Sequence, residues 1–246
     1  MALPAQVYRK HFIPLESNPE IFTELIRKLG VSESLEFQDV YSLDEPQLLA
    51  LIPRPVHALI LVFPTTERYE KRIASEEAEA EDYNTSGADE DVVFFKQTID
   101  NACGLYAILH AVSNGDARKY IEGGSSLSRL IDTCVTLKPS ERALALEDSR
   151  ELESSYESVA SQGDTDAPDD PEDEVDFHYI CFVKSHKNGH LFQLDGDRKR
   201  PIDLGPAGIG DDVLSESVVG VIRSMIESEG GENINFSLMA LVNAQD

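Results

Sequence analysis

Residues 177–195 read Phe-His-Tyr-Ile-Cys-Phe-Val-Lys-Ser-His-Lys-Asn-Gly-His-Leu-Phe-Gln-Leu-Asp. Phe177–Val183 is aromatic and β-branched, which predicts a central strand, and Leu191–Asp195 after Asn188-Gly189 predicts its hairpin partner. Toward the C-terminus, Val213–Ile226 has helical spacing at Val218, Val221, Ile222 and Met225, and Phe236–Val242 reads as a last strand. Toward the N-terminus, Cys103–Val112 carries Leu105, Ile108, Leu109 and Val112 on one helical stripe, with Cys103 at the helix start. Ala58–Phe63 is apolar throughout and bounded by Pro53, Pro55 and Pro64, the pattern of a buried strand. Asn18-Pro19 precedes Ile21, Phe22, Leu25, Ile26 and Leu29, and Gly30 follows, which predicts an N-capped amphipathic helix with a C′ glycine. Helices and strands interleave, so the fold is an α/β or α+β mixture whose strand order the pattern leaves open.

The chain has 246 residues and 41% hydrophobic composition, enough for one sizeable core. Its net charge is −25, from 46 acidic and 21 basic side chains, which argues against a phosphate-backbone ligand because counterion release needs clustered Lys and Arg. The longest apolar run, Ala58–Phe63, is far below the ~20 residues of a membrane span. Met1–Phe12 has no apolar segment after its basic residues, so no secretory signal is expected. Three cysteines make no disulfide framework and read as reduced thiols in a cytosolic or nuclear setting. The charge is concentrated: residues 76–91 carry −8 and residues 147–176 carry −12. Low hydrophobicity and high charge predict mobile loops at about 76–91 and 147–174. The segment after the second is too short to bury its own core, so residues 1–246 are expected to form a single domain.

A reduced thiol at a helix start is placed to act as a nucleophile, and Cys103 is there, whereas Cys134 and Cys181 sit among apolar neighbours and read as packing residues. Gln97, six residues earlier, could turn its amide onto an oxyanion together with the Cys103 backbone N–H. Of the six histidines, His178 lies inside the hydrophobic strand, where an unpaired imidazole is costly. A hairpin loop from Ser185 to Asn188 would set Asp195 opposite His178, whereas a two-residue Asn188-Gly189 turn would set residue 199 there. Metal-ligand spacings and glycine-rich phosphate loops are missing from the sequence, so no metal and no cofactor is expected.

Gln97-Thr98-Ile99-Asp100-Asn101-Ala102-Cys103-Gly104 resembles the nucleophile motif of the ubiquitin C-terminal hydrolases, papain-like deubiquitinating cysteine peptidases, and especially of their short members. Val175-Asp176-Phe177-His178-Tyr179-Ile180 resembles the family's histidine strand and Leu194-Asp195-Gly196 its aspartate turn. The likeness extends to Phe12-Ile13-Pro14-Leu15-Glu16-Ser17-Asn18-Pro19-Glu20 and Pro53-Arg54-Pro55-Val56. It implies an α/β fold around a six-stranded antiparallel sheet flanked by helices, with a knotted backbone and a crossover loop at about 147–174 over the active site. It also implies Cys103 as nucleophile, His178 as general base and acid, Asp195 as its orienter and Gln97 in the oxyanion hole. Pro14 and Leu15 would meet ubiquitin's hydrophobic patch, and Glu16 and Asp39 its tail arginines. The expected reaction is release of small adducts or short peptide extensions from ubiquitin's C-terminal glycine, by a monomer. The alternatives are a hydrolase for a ubiquitin-like modifier and a non-catalytic ubiquitin-binding module. No extended tail follows Val242, so the partner-docking role of the family's long members is not expected.

Overall fold

The hairpin at 177–195 lies in the middle of the molecule. In the structure, a computed structural model that describes residues 8–163, 170–173, 175–228 and 235–245, the elements in chain order begin with β1 (Lys10–His11), α1 (Pro19–Leu29), β2 (Leu35–Asp39), α2 (Pro46–Leu49), β3 (Ala58–Pro64) and α3 (Glu67–Ala78). They continue with β4 (Ile99–Asp100), α4 (Cys103–Ser113), α5 (Ser126–Cys134), α6 (Pro139–Glu147), α7 (Arg150–Ala160), β5 (Phe177–Lys184), β6 (His190–Leu194), β7 (Ile202–Pro206), α8 (Glu216–Ser228) and β8 (Ser237–Asn243). Six strands form one sheet in the order β2-β8-β3-β5-β6-β7, every neighbouring pair antiparallel. The expected α/β fold with a six-stranded antiparallel sheet is therefore present.

β3 and β5 are buried almost throughout because helices cover both faces of the sheet. Ile60, Val62, Tyr179, Cys181 and Met239 pack with α1, α4 and α7 on one face. Leu61, Phe63, Ile180, Phe182 and Ala240 pack with α8 and Tyr69 of α3 on the other. This alternation follows from the period of two along a strand. α1 forms as its sequence predicts: the Asn18 side chain accepts from Glu20 N–H, and Gly30, at φ +92°, ends the helix in the left-handed conformation. α4 is buried along its whole length, so the Leu105, Ile108, Leu109 and Val112 stripe marks only part of its packing surface.

Both acidic runs depart from the loops expected of them. Residues 76–78 are the last turn of α3, and Glu76 and Glu77 pair with Arg198 at 2.5 and 3.0 Å. Glu90 is buried in a two-pronged bond with the fully buried Arg142. In the second run, residues 150–160 are α7, not loop. Leu152, Tyr156 and Val159 recur at helical spacing and turn into the core, while Ser149 caps the helix and the carboxylates of Glu151 and Glu153 bond Arg129 and Lys10. The crossover segment thus shortens to residues 161–176, of which 164–169 and 174 lie outside the described residues.

The hairpin register is also corrected. Lys184 faces Leu191 and Cys181 faces Leu194, with Ser185 N–H closing on His190 C=O around a four-residue turn. This register lies between the two expected ones, and its ladder ends at Cys181–Leu194, so His178 meets the turn after β6 through side chains and not as a cross-strand pair.

Candidate active site

Two elements bring the reactive groups together. β1 pairs in parallel with β4, which ties the N-terminal strand to the run that leads into α4 and sets Cys103 at the helix start. The backbone N–H of that first residue has no intrahelical acceptor and is free to donate. β5 packs on α4, which brings His178 close enough to Cys103 for the thiol to add to the hold on the ring's proton.

His178 Nε2 lies 2.8 Å from Asp195 Oδ1, and both side chains are buried. Tyr69 O–H donates to the other carboxylate oxygen at 3.4 Å, and Asp197 N–H donates to Oδ1 at 2.9 Å, so Asp195 is held on all sides. Burial alone would strip the ring of its proton. The Asp195 charge and hydrogen bond, with Cys103 and Asp197 adding to them, more than offset burial and hold His178 well above the usual imidazole range. Asp195 is correspondingly held below the usual carboxylate range, its burial outweighed by the His178 charge and the hydrogen bonds it accepts. Phe63 and Tyr69 set their rings edge-on and tilted against the imidazole, which limits its rotation.

Gln97 is buried on the opposite wall of the turn. Its N–H donates to Gly196 C=O at 2.8 Å, and its buried side-chain Oε1 has no hydrogen-bond partner among the described residues. Cys134 and Cys181 are buried, with thiols pushed up by burial, to about 11 for Cys134 and further for Cys181, which suits packing and not nucleophilic chemistry. His11 pairs with Asp100, His57 with Asn243 and His190 with Asp203, while His110 accepts from Phe95 N–H in the core.

Cys103 opens onto a cleft of about 520 Å³ whose lining includes Pro14, Glu16, Phe177 and Tyr179. Leu15 borders it as well, but its side chain is buried and Tyr179 O–H donates to its carbonyl at 2.7 Å. Asp39 is not in this cleft; it borders an adjoining depression, which shares Ser17 with the first. Three features escape the sequence reading. Asn101 has φ +54°, and its Nδ2 donates to the carbonyls of Pro171 and Asp173, tying the crossover segment to the turn before Cys103. Gly196 lies against Gln97, and Asp197 Oδ2 stands 3.7 Å from His178 Nδ1. His178, Asp195 and Asp197 are also a group of metal-type donors within 4.8 Å of one another. The 2.8 Å line between His178 and Asp195 is a hydrogen bond that leaves no room for an ion between them.

Residues 12–227 match the family model of the ubiquitin carboxyl-terminal hydrolases, family 1. The chain belongs to that family. A probable ubiquitin carboxyl-terminal hydrolase of Dictyostelium discoideum is 37% identical over 95% of this chain and 89% of its own length. The ubiquitin carboxyl-terminal hydrolase isozyme L1 of Rattus norvegicus is 34% identical over 94% of this chain and 98% of its own. In structure, the UCH37 catalytic domain of Trichinella spiralis bound to ubiquitin vinyl methyl ester superposes with a TM-score of 0.73 at 26% identity, over 96% of this chain and 98% of that one. A ubiquitin carboxyl-terminal hydrolase is a cysteine peptidase, and this chain is one by family, fold and relatives.

Proposed function

We propose that the hydrolase releases small adducts and short extensions from the C-terminal glycine of ubiquitin, with Cys103 as nucleophile. The observation that carries this reading is the His178–Asp195 hydrogen bond on the strand that packs against α4, with Cys103 at the start of that helix lining the Pro14–Tyr179 cleft. Cys103 sulfur attacks the glycine carbonyl carbon, and the displaced electron pair collects on the carbonyl oxygen. The Gln97 amide and the Cys103 backbone N–H donate to that oxyanion. As the tetrahedral intermediate collapses, the bond to the leaving amine breaks, and the His178 imidazolium gives the amine its proton. The neutral ring then takes a proton from water, whose oxygen attacks the thioester, freeing the ubiquitin carboxylate and returning the Cys103 sulfur. Asp195 keeps the ring oriented through Nε2, so that Nδ1 faces the sulfur.

Glu16 on the cleft rim and Asp39 beside it offer charge to ubiquitin's basic tail, and Pro14 a small apolar surface next to them. Ala160, Gln162 and Val175 line the same cleft, and Asn101 pins the carbonyls of Pro171 and Asp173 nearby, so the chain passing here would restrict the group that leaves. Three unpaired cysteines suit a reducing compartment, cytosol or nucleus. The test is release of a small fluorophore from the C-terminus of full-length ubiquitin by the wild type, Cys103→Ala and Gln97→Ala, with a ubiquitin-like modifier adduct in parallel. Turnover of the ubiquitin adduct is expected from the wild type, none from Cys103→Ala, and a loss on the order of 10²–10³ in kcat from Gln97→Ala. Faster turnover of the ubiquitin-like adduct would reassign the substrate, and activity in Cys103→Ala would reassign the nucleophile.

A further inference from the structure

The His178 ring has two nitrogens, and the proposed triad accounts for one carboxylate. Asp195 occupies the Nε2 side at 2.8 Å, yet on the Nδ1 side, which the proposed mechanism turns to the nucleophile, a second carboxylate is present: Asp197 Oδ2 at 3.7 Å. That separation is too long for a hydrogen bond and well within ion-pair range.

Its placement is built, not incidental to a loose side chain. β6 ends at Leu194, and the turn that follows it brings Asp197 beside His178. The Asp197 N–H donates to the same Asp195 oxygen that holds the ring, and Lys96 Nζ donates to the Asp197 carbonyl at 2.6 Å. Arg198 N–H returns to Asp195 C=O, and the Arg198 guanidinium is gripped by Glu76 and Glu77 at the end of α3. The backbone of residues 195–198 is thus fixed from four directions, and the Asp197 side chain, half exposed, has the ring nitrogen within ion-pair distance.

We propose that Asp197 is a positioning residue of this site, a second carboxylate that stabilises the charged His178 ring from the Nδ1 edge and so widens the alkaline range in which the ring can stand opposite the Cys103 sulfur as an acid. The proposal rests on the assignment of Cys103 and His178 made above. The charged and titratable groups around the ring are Asp195 and Asp197 from the turn after β6, Cys103 from α4 and Tyr69 from α3. Around Asp197 they are His178, Asp195, Lys96, Asp100 and Tyr8. Crowding by the site raises the proton affinity of Asp197 itself; the repulsion of Asp195 and Asp100 adds to this, and His178 and Lys96 oppose it. Removing the Asp197 charge therefore leaves the ring with a single anionic carboxylate partner, and its acidity must rise.

Two readouts test this: the pH dependence of Cys103 alkylation by iodoacetamide, and that of kcat/KM on the ubiquitin–fluorophore adduct. Both are measured for the wild type, Asp197→Asn, Asp197→Ser and Asp197→Glu, with Cys103→Ala as the alkylation blank. In Asn and Ser the alkaline limb should move to lower pH by about 0.5–1 unit, a modest effect because half of the carboxylate faces water. Glu should restore the limb toward the wild-type position, which a merely structural role would not do. Alkaline limbs of Asn and Ser that superimpose on the wild type would overturn the role of Asp197, and if one neutral variant fails to fold, the other decides. The assignment beneath fails separately: wild-type alkylation no faster than the Cys103→Ala blank at any pH would remove the Cys103–His178 pair itself.

Discussion

A methyl group at Gly196 would lie 2.8 Å from Gln97 Cβ and 3.3 Å from its backbone nitrogen, closer than side-chain carbons come. Gly196 also accepts the Gln97 N–H, so neither residue can retreat without breaking that bond. Gly196→Ala is therefore expected to displace the Gln97 amide and to cut kcat on the order of ten-fold or more, by weakening one oxyanion donor, while KM changes less. Steady-state kinetics on the ubiquitin–fluorophore adduct check this, and an unchanged kcat would place the amide outside the oxyanion site. The residue types at Cys103, Gln97 and His178 could be singled out from sequence because each is unusual in its setting: a thiol at a helix start, an amide six residues ahead, an imidazole in an apolar strand. Gly196 and Asp197 could not, since a glycine and an aspartate after a strand read as an ordinary turn.

Between elements, charge acts through burial. Arg142 of α6 is fully buried; it donates to the carbonyls of Cys134, Leu137 and Phe94 and makes a two-pronged bond to Glu90, joining α5 and α6 to the run that leads to Gln97. Arg142→Ala would leave a buried carboxylate and three carbonyls without partners and should cost about 3–5 kcal/mol, measured by urea unfolding at pH 7. A loss below about 1 kcal/mol would mean that water reaches the site. His110 of α4 is buried against Phe94 and is pushed down to about 3 by burial. It stays neutral in the fold and takes up a proton on unfolding below pH 6.5, so its contribution is complete above that value and is lost as the pH falls toward 3. Between pH 7 and 5 this one group should remove about 2 kcal/mol of stability, at ~1.4 kcal/mol per unit below 6.5. His110→Gln should flatten that part of the profile; an unaltered slope would show the titration lies elsewhere. The same burial explains why the acidic runs read as loops: averaged charge hid the Leu152, Tyr156 and Val159 stripe of α7 and the arginine partners of Glu76, Glu77 and Glu90.

Over the whole molecule, a net charge of −25 gives an attractive field for a basic ligand surface, and association with ubiquitin should weaken as salt rises. At a Debye length of ~8 Å in 0.15 M salt, much of the steering is already screened, so the steepest loss of association rate is expected below that concentration. Stopped-flow binding to the Cys103→Ala protein across ionic strength measures it, and a salt-independent rate would assign recognition to the apolar cleft alone. Among the described residues no helix is long and apolar enough to cross a membrane, in line with the short run at 58–63. Sequence by itself determined the local elements and the residue types of the site. The cap at Asn18, the stripe of α4, the apolar strands β3 and β5 and the motif around Cys103 all express preferences that act over a few neighbouring positions. Tertiary structure decided what depends on distant partners. These are the order β2-β8-β3-β5-β6-β7, the clamp of α3 on the turn at 195–199, and the turn after β6 that brings Asp195 and Asp197 to the two nitrogens of His178. The physical reason is that a strand order or a buried ion pair is chosen by the total burial and hydrogen bonding of segments as far apart as β2 and β8, about 200 residues, a quantity that no local window of sequence contains.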